Sequence, residues 1–392
     1  MRCQQLLVYD KPRRKEENMR ELIGFEITKL LRKPLVWAAL AGMLLFMILM
    51  AYNWVIPRYA TVQEEVNGQW IIWKNFEGIN RNKEIAEQYS GLLTTEKVRE
   101  IIEASAFSDE VLMSQGFDPD RQKYYIHNSM YQAFDDFEKM DGSYNGVTVE
   151  EVYGNLAQGM ILGYYDGWES TIYALMNSFM VWGCVVVIIL TPLFADEYTK
   201  RTDALILTGR RGRSYCPVAK IIAAYVVSLA GSLILLGFFA LAMLAAHGTT
   251  GFHTSVQLGS LGMFNDTPYL LTWGQMFAFA SMLWLGATVV LIALCLVVSA
   301  LAKNSFSALV ITFTLFSLPM FIPWHYFLEP LTLAGMFLPI NQMKIWNLSH
   351  FAKYDLGGFQ LNVMWLALPV AVIATVIGVL WSRRTFAKHQ VL

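Results

Sequence analysis

The chain has 392 residues, of which 55% are hydrophobic and only 16% are charged. With a mean hydropathy of +0.39, this balance indicates an integral membrane protein and excludes a soluble or disordered chain. The net charge of −1 is informative only after the charges are divided between the two sides of a membrane. None of the four cysteines lies in the large polar region, so no disulfide framework is predicted; they are Cys3, Cys184, Cys216 and Cys295.

Residues 1–33 are predicted to form a cytoplasmic tail and an interfacial helix. The first 17 residues lack the apolar stretch of a signal peptide. The helix is expected to begin at Met19, with Asn18 as its cap and Glu21 three residues further on. Its apolar stripe consists of Ile23, Ile27, Leu30 and Leu31. The basic residues opposite are Arg20, Lys29, Arg32 and Lys33. This pattern predicts a helix that lies in the cytoplasmic membrane interface, the alternative being a polar extension of the first span.

Residues 34–56 carry no charge and are long enough to form the first membrane span. The polar and aromatic residues 57–171 that follow are predicted to form a helical extracytoplasmic domain. A first helix is marked by Val62, Val66 and the cluster Trp70–Trp73. A second begins at Thr94 or Thr95, with Val98, Ile101 and Ile102 on one face. A third begins at Asp118–Pro119 and includes Ile126, Met130, Phe134 and Phe137. This region has 20 acidic and 9 basic residues, which favours contact with cargo or a surface partner.

Five further apolar segments make the predicted fold an all-α membrane protein with six transmembrane helices. The second span covers residues 172–194, and residues 221–382 hold spans three to six. These four spans are residues 221–246, 275–301, 305–324 and 361–381. Residues 326–351 are apolar but too short and too interrupted by proline to cross. Residues 383–392 form a basic C-terminal tail.

The distribution of charge predicts that both termini are cytoplasmic. With the termini, residues 195–220 and the turn at Lys303 placed inside, the inner side holds 19 basic and 8 acidic residues. The outer side then holds 11 basic and 23 acidic residues. The short outer loop at residues 248–271 contains no Lys or Arg, as the positive-inside rule requires. We therefore expect a multi-pass protein of the plasma membrane.

Residues 195–220 form a charged segment between two spans, which we call the hairpin. Phe194, Tyr198, Thr202 and Leu205 recur at helical spacing and predict one short helix. Asp196, Glu197 and Asp203 are placed toward its start, where the helix dipole favours negative charge. Gly209 is the expected C-cap, and Pro217 fits the first turn of the next span. A basic loop that only fixes topology is the alternative.

The hairpin sequence PLFADEYTKRTDALILTGRRGR, followed by AK, resembles the cytoplasmic loop after the second span in ABC transporter permeases of the type-two exporter family. The resemblance implies a coupling helix that docks on a separate ATPase subunit, with Glu197 and Thr202 at the matching acidic and threonine positions. The predicted coupling residues are Glu197, Tyr198, Arg201, Thr202, Leu205, Arg210 and Arg211. The segment GLLTTEKVREII also resembles an outer-domain segment of this family. By the same resemblance, residues 326–351 are expected to form short re-entrant helices at an outer gate.

The implied partners are an ABC ATPase that carries ATP and Mg, and a second identical or related permease. Membrane lipid is an equal candidate partner for the hairpin arginines, and no nucleic acid is expected. No ionisable residue lies in the middle of a predicted span, which disfavours an ion-coupled carrier. The chain has no G-x-x-x-x-G-K-[ST] sequence, so we predict a transport subunit without its own ATPase.

Neither catalytic nor metal-binding residues are predicted. His247 and His253 are six residues apart in a glycine-bearing segment, which is not a helical ligand spacing. His325 and Glu329 are more easily explained as interfacial residues. The leading hypothesis is the permease of an ATP-driven exporter. The alternative is a sensory or scaffold membrane protein whose outer domain binds a ligand and whose hairpin recruits a regulator.

Overall fold

The computed structural model describes residues 12–56, 61–66, 69–105, 134–139, 143–209, 212–259, 262, 264–323, 329–344, 354–356, 359–361 and 363–388. The helices are α1 (Pro12–Leu31), α2 (Pro34–Met50), α3 (Asn75–Gln88), α4 (Thr95–Ser105), α5 (Val149–Tyr153), α6 (Asp166–Leu190), α7 (Pro192–Thr199), α8 (Asp203–Thr208), α9 (Tyr215–His247), α10 (Trp273–Leu301), α11 (Ser305–Phe321), α12 (Glu329–Met336), α13 (Pro339–Gln342) and α14 (Val363–Lys388). The strands are β1 (Thr61–Val66), β2 (Gln69–Lys74), β3 (Gly91–Leu92), β4 (Ile161–Leu162), β5 (Tyr354–Leu356) and β6 (Phe359–Leu361).

The mostly helical membrane fold expected from the composition is confirmed. Five segments of the described chain are long and apolar enough to cross a membrane: Pro34–Val55, Asp166–Thr199, Tyr215–His247, Trp273–Leu301 and Trp365–Lys388. A sixth apolar helix, α11, has 17 residues, at the lower end of the length needed to cross. The six-span count therefore stays a prediction.

Spans α6 and α10 form the centre of the helix bundle. In the apolar 18-residue stretch of the segment Asp166–Thr199, 72% of the residues are buried. The corresponding share is 61% in α10 and 22% in the first and last spans. Helix α6 packs against α2, α9, α10 and α11, and α10 packs along most of α14. Close approach is allowed at Gly183, where a Cβ atom would lie 2.1 Å from the Phe316 ring of α11. The outer helices keep large apolar side chains exposed, as lipid contact requires.

The N-terminal helix begins earlier than predicted. Helix α1 starts at Pro12, so Asn18 is within the helix and does not cap it. Proline is well suited to a first helical position, and the Lys and Glu residues that follow favour helix. Helix α1 ends before Lys33, and Pro34 opens α2 as a separate element, so α1 is not an extension of the first span.

The described part of residues 57–171 is not wholly helical, and the helix predicted from Val62 to Trp73 is wrong. Strands β1 and β2 pair antiparallel, with Val62 opposite Trp73 and Glu65 opposite Trp70. The sequence between the strands is Asn67-Gly68, a strong hairpin signal that outweighs the helical spacing of the apolar residues. Helix α3, which was not predicted, follows directly.

The other two helices predicted within residues 57–171 have different outcomes. Helix α4 forms as predicted, and Thr94 Oγ1 accepts a hydrogen bond from the Lys97 backbone amide at 3.3 Å. Val98, Ile101 and Ile102 are all buried. The third predicted helix, with Ile126 and Met130, lies outside the described residues, whereas Phe134 and Phe137 are buried around a short 3-10 turn. Residues 329–342 form the two short helices α12 and α13.

Candidate coupling site

The hairpin leaves the bundle through a proline kink that α10 stabilises. Pro192 opens α7 directly after α6 and has no backbone N–H to donate. Ser299 Oγ of α10 accepts hydrogen bonds from the amides of Phe194 at 2.9 Å and Ala195 at 3.2 Å. The same hydroxyl donates to the Thr191 carbonyl at 2.7 Å. A side chain of one span therefore satisfies the backbone groups that the kink frees in another.

Helix α7 ends in a Schellman motif, which turns the chain sharply. The Arg201 amide donates to the Tyr198 carbonyl at 3.1 Å, and the Thr202 amide donates to the Glu197 carbonyl at 2.9 Å. Arg201 takes the left-handed position of this motif, with φ of 52°, where glycine is usual. Its side chain is exposed. A non-glycine residue there costs roughly 1–2 kcal/mol, so the turn is held by its surroundings.

Helix α8 forms the tip of the described hairpin. Leu205 is 68% exposed on its outer side, whereas Leu207 is buried on its inner side. The turn that follows fits tightly against α8, because a Cβ atom at Gly212 would lie 1.6 Å from the Ile206 carbonyl oxygen. Arg213 Nε donates to the Leu207 carbonyl at 3.3 Å and so satisfies a backbone group at the end of α8.

A cluster of four charged side chains, three of them buried, fixes the base of the hairpin, and we call it the charge cluster. It joins Glu197 of α7, Glu26 and Lys29 of α1, and Lys220 of α9. Lys220 Nζ lies 2.9 Å from Glu26 Oε2 and 2.9 Å from Glu197 Oε1. Lys29 also forms an ion pair with Glu197, and the Thr202 hydroxyl donates to the second carboxylate oxygen. The two carboxylates and the two ammonium groups balance in charge, so no buried member of the cluster lacks an opposite charge.

Asp196 makes a second set of bonds beside the charge cluster. Lys33 Nζ, just beyond the end of α1, donates to Asp196 Oδ2 at 2.7 Å, and Lys200 Nζ lies 3.7 Å from the same atom. The Ser305 hydroxyl at the start of α11 donates to Asp196 Oδ1, and the Ser305 amide donates to Thr199 Oγ1 at 3.2 Å. The base of the hairpin is therefore bonded to α1, α9, α10 and α11.

The predicted coupling residues separate into an inner and an outer group. Glu197 is 4% exposed, and Tyr198 is half-buried, with its hydroxyl 3.3 Å from the Ala300 carbonyl and its ring beside Phe386. Thr202 is also partly buried against Glu197. Only Arg201 and Leu205 of the described set point outward. Arg210 and Arg211 lie outside the described residues.

Two expectations about the hairpin are wrong. The stripe from Phe194 to Leu205 is not one helix, because the turn at residues 200–202 separates α7 from α8. Glu197 is not near a helix start either, since it lies in the second half of α7. Its charge is therefore balanced by lysines and not by a helix N-terminus. Asp203 does occupy the first turn of α8, and Gly209 and Pro217 lie where predicted, at the end of α8 and in the first turn of α9.

His247 and His253, which were weighed as metal ligands, lie in different environments and have no contact partner in common among the described residues. His247 is buried, with Nε2 2.7 Å from the Val55 carbonyl and Nδ1 2.7 Å from the Tyr164 hydroxyl. Because a carbonyl oxygen only accepts, Nε2 carries the hydrogen and Nδ1 accepts from Tyr164. Burial, and then the Asp166 carboxylate, raises the pKa of Tyr164, so its hydroxyl keeps the proton that it donates. His253 is exposed beside Phe252, and His325 lies outside the described residues.

Sequence reasoning missed the lysines and the glutamate that surround Glu197. Lys220 was counted only as a basic residue on the inner side, and Lys29 and Lys33 were assigned to the lipid interface. Glu26 was given no role. The available signal was Glu26 and Lys29 at a spacing that places them on one face of α1, followed by Lys33 just past its end, together with the acidic pair Asp196-Glu197.

The comparisons with known proteins identify the family. A model described as ABC-2 family transporter protein matches residues 21–356, a range that contains the second half of α1, the hairpin and residues 57–171. The chain belongs to the ABC-2 transporter family. As an ABC-2 protein it is a multi-pass membrane permease of an ABC transporter, a component that typically lacks an ATPase motif of its own. No curated protein matches the chain.

Proposed function

We propose that this chain is the permease subunit of an ATP-driven exporter and that its hairpin receives the motion of a separate ABC ATPase. The observation that carries this proposal is the division of the hairpin into two sides. Its inner side is fixed by the charge cluster, whereas its outer side presents Arg201 and Leu205 to the exterior of the bundle. A loop that only set topology would not need a buried network of this size.

The bonds at the base of the hairpin provide a path for movement into the membrane. Helix α7 continues from α6, its first amides are bonded to Ser299 of α10, and Asp196 is bonded to Ser305 of α11. A displacement of α8 is therefore passed to spans α6, α10 and α11 together. Closure of the ATPase on ATP and Mg would move these spans from an inward-open to an outward-open arrangement.

The remaining parts of the proposal follow from charge and from the family. The basic hairpin and both termini face the cytoplasm of the plasma membrane, as the positive-inside rule favours. Six spans, a second identical or related permease and two ATPase subunits complete the transporter. The acidic outer region at residues 57–171 faces the exported cargo or a surface partner.

Co-purification tests the proposal. The tagged wild-type chain is purified from native membranes, its partners are identified, and ATP turnover of the complex is measured in lipid nanodiscs. We expect an ABC ATPase to be retained. We also expect Arg201→Ala to reduce its retention more than Lys303→Ala, which removes an exposed basic residue from the turn between α10 and α11. Recovery of a regulator without any ABC ATPase would favour a sensory or scaffold protein instead.

A further inference from the structure

His247 joins the ends of the first three spans at the end of α9 that is far from the hairpin. The first span ends in a wide π-helical turn, Ala51–Val55, and the Val55 carbonyl accepts a hydrogen bond from His247 Nε2 at 2.7 Å. The hydroxyl of Tyr164, just before α6, donates to Nδ1 at 2.7 Å. The ring also packs on the backbone of α6, because a Cβ atom at Gly167 would lie 2.4 Å from His247 Cγ. One side chain therefore connects three spans that are distant in sequence.

This arrangement requires a neutral imidazole ring. Nε2 must donate because the Val55 carbonyl only accepts, and the neutral ring then leaves Nδ1 free to accept from Tyr164. A protonated ring would carry hydrogen on both nitrogens, so the Tyr164 hydroxyl would lose its acceptor. Tyr164 is 2% exposed and His247 is 4% exposed. A donor that loses its partner at such a buried place is unfavourable.

The charges on the surrounding elements also disfavour a protonated ring. They are Lys83 of α3 and, in the first turn of α6, Asp166 and Glu169. Lys83 Nζ lies 5.8 Å from the centre of the Tyr164 ring, on the side chain that bonds His247. In the described part of the chain, neither carboxylate lies within ion-pair distance of His247. Protonation would therefore bury a positive charge that has a cation nearby and no paired acid.

We infer that His247 is the positioning residue of a clasp, made with the Val55 carbonyl and Tyr164, that joins the ends of the first three spans only while its ring is neutral. In the predicted topology this end of the bundle faces the outside, so acidification of the outer medium releases the clasp. The Val55 end of the first span is then free to move away from α9. The inference goes beyond the proposed function and does not depend on an ABC ATPase.

A pair of spin labels measures whether acid separates the first span from the third. Cysteines replace Tyr52, which is 47% exposed in the π-helical turn, and Thr249, which is exposed two residues after His247. The full chain, without its native cysteines, is placed in lipid nanodiscs. The distance between the labels is measured by pulsed electron resonance in steps from about pH 8 to about pH 4, a range that includes the ordinary titration of histidine. We expect the distance to lengthen by roughly 2 Å or more in acid.

Two glutamine substitutions separate the clasp from general effects of acid. His247→Gln keeps one donor and one acceptor but takes up no proton in this range, so the distance should stay short at every pH. His253→Gln removes an exposed histidine from the segment after α9 and should leave the acid response unchanged. An unchanged distance in the labelled chain that keeps His247 would by itself overturn the inference. Every other departure from the expected pattern, including an acid response that persists in His247→Gln, would also overturn it.

Discussion

Lys220 and Glu197 are 23 residues apart in the sequence, and their side chains meet at 2.9 Å where neither is more than 5% exposed. This pair closes the base of the hairpin, because one residue begins the third span and the other ends the helix that continues from the second. Glu26 and Lys29 complete the balance of charge from a third element. The hairpin is therefore held by buried ionic bonds and not by its own short helices.

Removal of Lys220 tests the energetic role of the charge cluster. Lys220→Met removes the lysine that pairs with Glu26 and leaves Glu197 paired with Lys29, and loss of one partner from a buried ion pair costs about 3–5 kcal/mol. The double variant Lys220→Met/Glu26→Leu restores the balance of charge and should be less destabilised. Thermal unfolding of the detergent-purified proteins measures both. A double variant as unstable as the single one would show that packing, and not charge, dominates at this place.

Substitutions at Arg201 can separate the effect of its left-handed backbone from the effect of its exposed side chain. Arg201→Gly should relieve roughly 1–2 kcal/mol of backbone strain and keep the hairpin folded, while removing an exposed cation. We therefore expect a melting temperature equal to or above that of the wild-type chain together with weaker retention of the ATPase. Arg201→Ala is the control, since it removes the same charge without relieving the strain. Unchanged retention in both variants would argue against a docking role for this residue.

Gly212 tests whether the close return of the hairpin is required. A Cβ atom there overlaps the Ile206 carbonyl, so Gly212→Ala should displace α8. Limited trypsin digestion of the purified protein should then cleave within residues 208–214 several times faster than in the wild-type chain. Gly237→Ala, at a position where a Cβ atom meets nothing within 4 Å, serves as the control and should not speed digestion. Equal digestion of both variants would contradict the tight closure.

The proposed orientation is tested by single cysteines in a cysteine-free chain. Glu150→Cys in the outer region and Thr249→Cys after α9 should react with an impermeant thiol reagent on intact cells, because both positions are exposed and placed outside. Leu205→Cys is equally accessible in the folded chain but should react only after the cells are opened. Labelling of Leu205→Cys from outside would reverse the assignment.

The elements that depend on local sequence pattern could be predicted from the sequence. Long uncharged segments such as Trp273–Leu301 are expected to be helical in lipid, since every backbone group must be satisfied within the segment. The β1–β2 hairpin was misassigned because Val62, Val66, Trp70 and Trp73 also fit helical spacing. The Asn67-Gly68 pair is a strong signal for a β-hairpin and favours two strands over one helix.

The charge cluster could not be predicted from local sequence pattern. Glu26 and Lys220 are 194 residues apart, and their pairing depends on how α1 packs along α9. The family resemblance marked Glu197 and Thr202 but did not reveal that they face inward. Only the three-dimensional arrangement separates the residues that hold the hairpin from Arg201 and Leu205, which are free to meet a partner surface.

The central claim, that the outer side of the hairpin docks on an ABC ATPase, is tested most directly by photo-cross-linking in native membranes. A photoreactive amino acid is placed at Leu205, which is 68% exposed on α8, and in a control chain at Leu233, which is 58% exposed within α9. The adducts are identified by mass spectrometry. We predict an adduct with an ABC ATPase from position 205 and only lipid or permease adducts from position 233. The absence of an ATPase adduct at position 205, in membranes where the ATPase co-purifies with the chain, would contradict the claim.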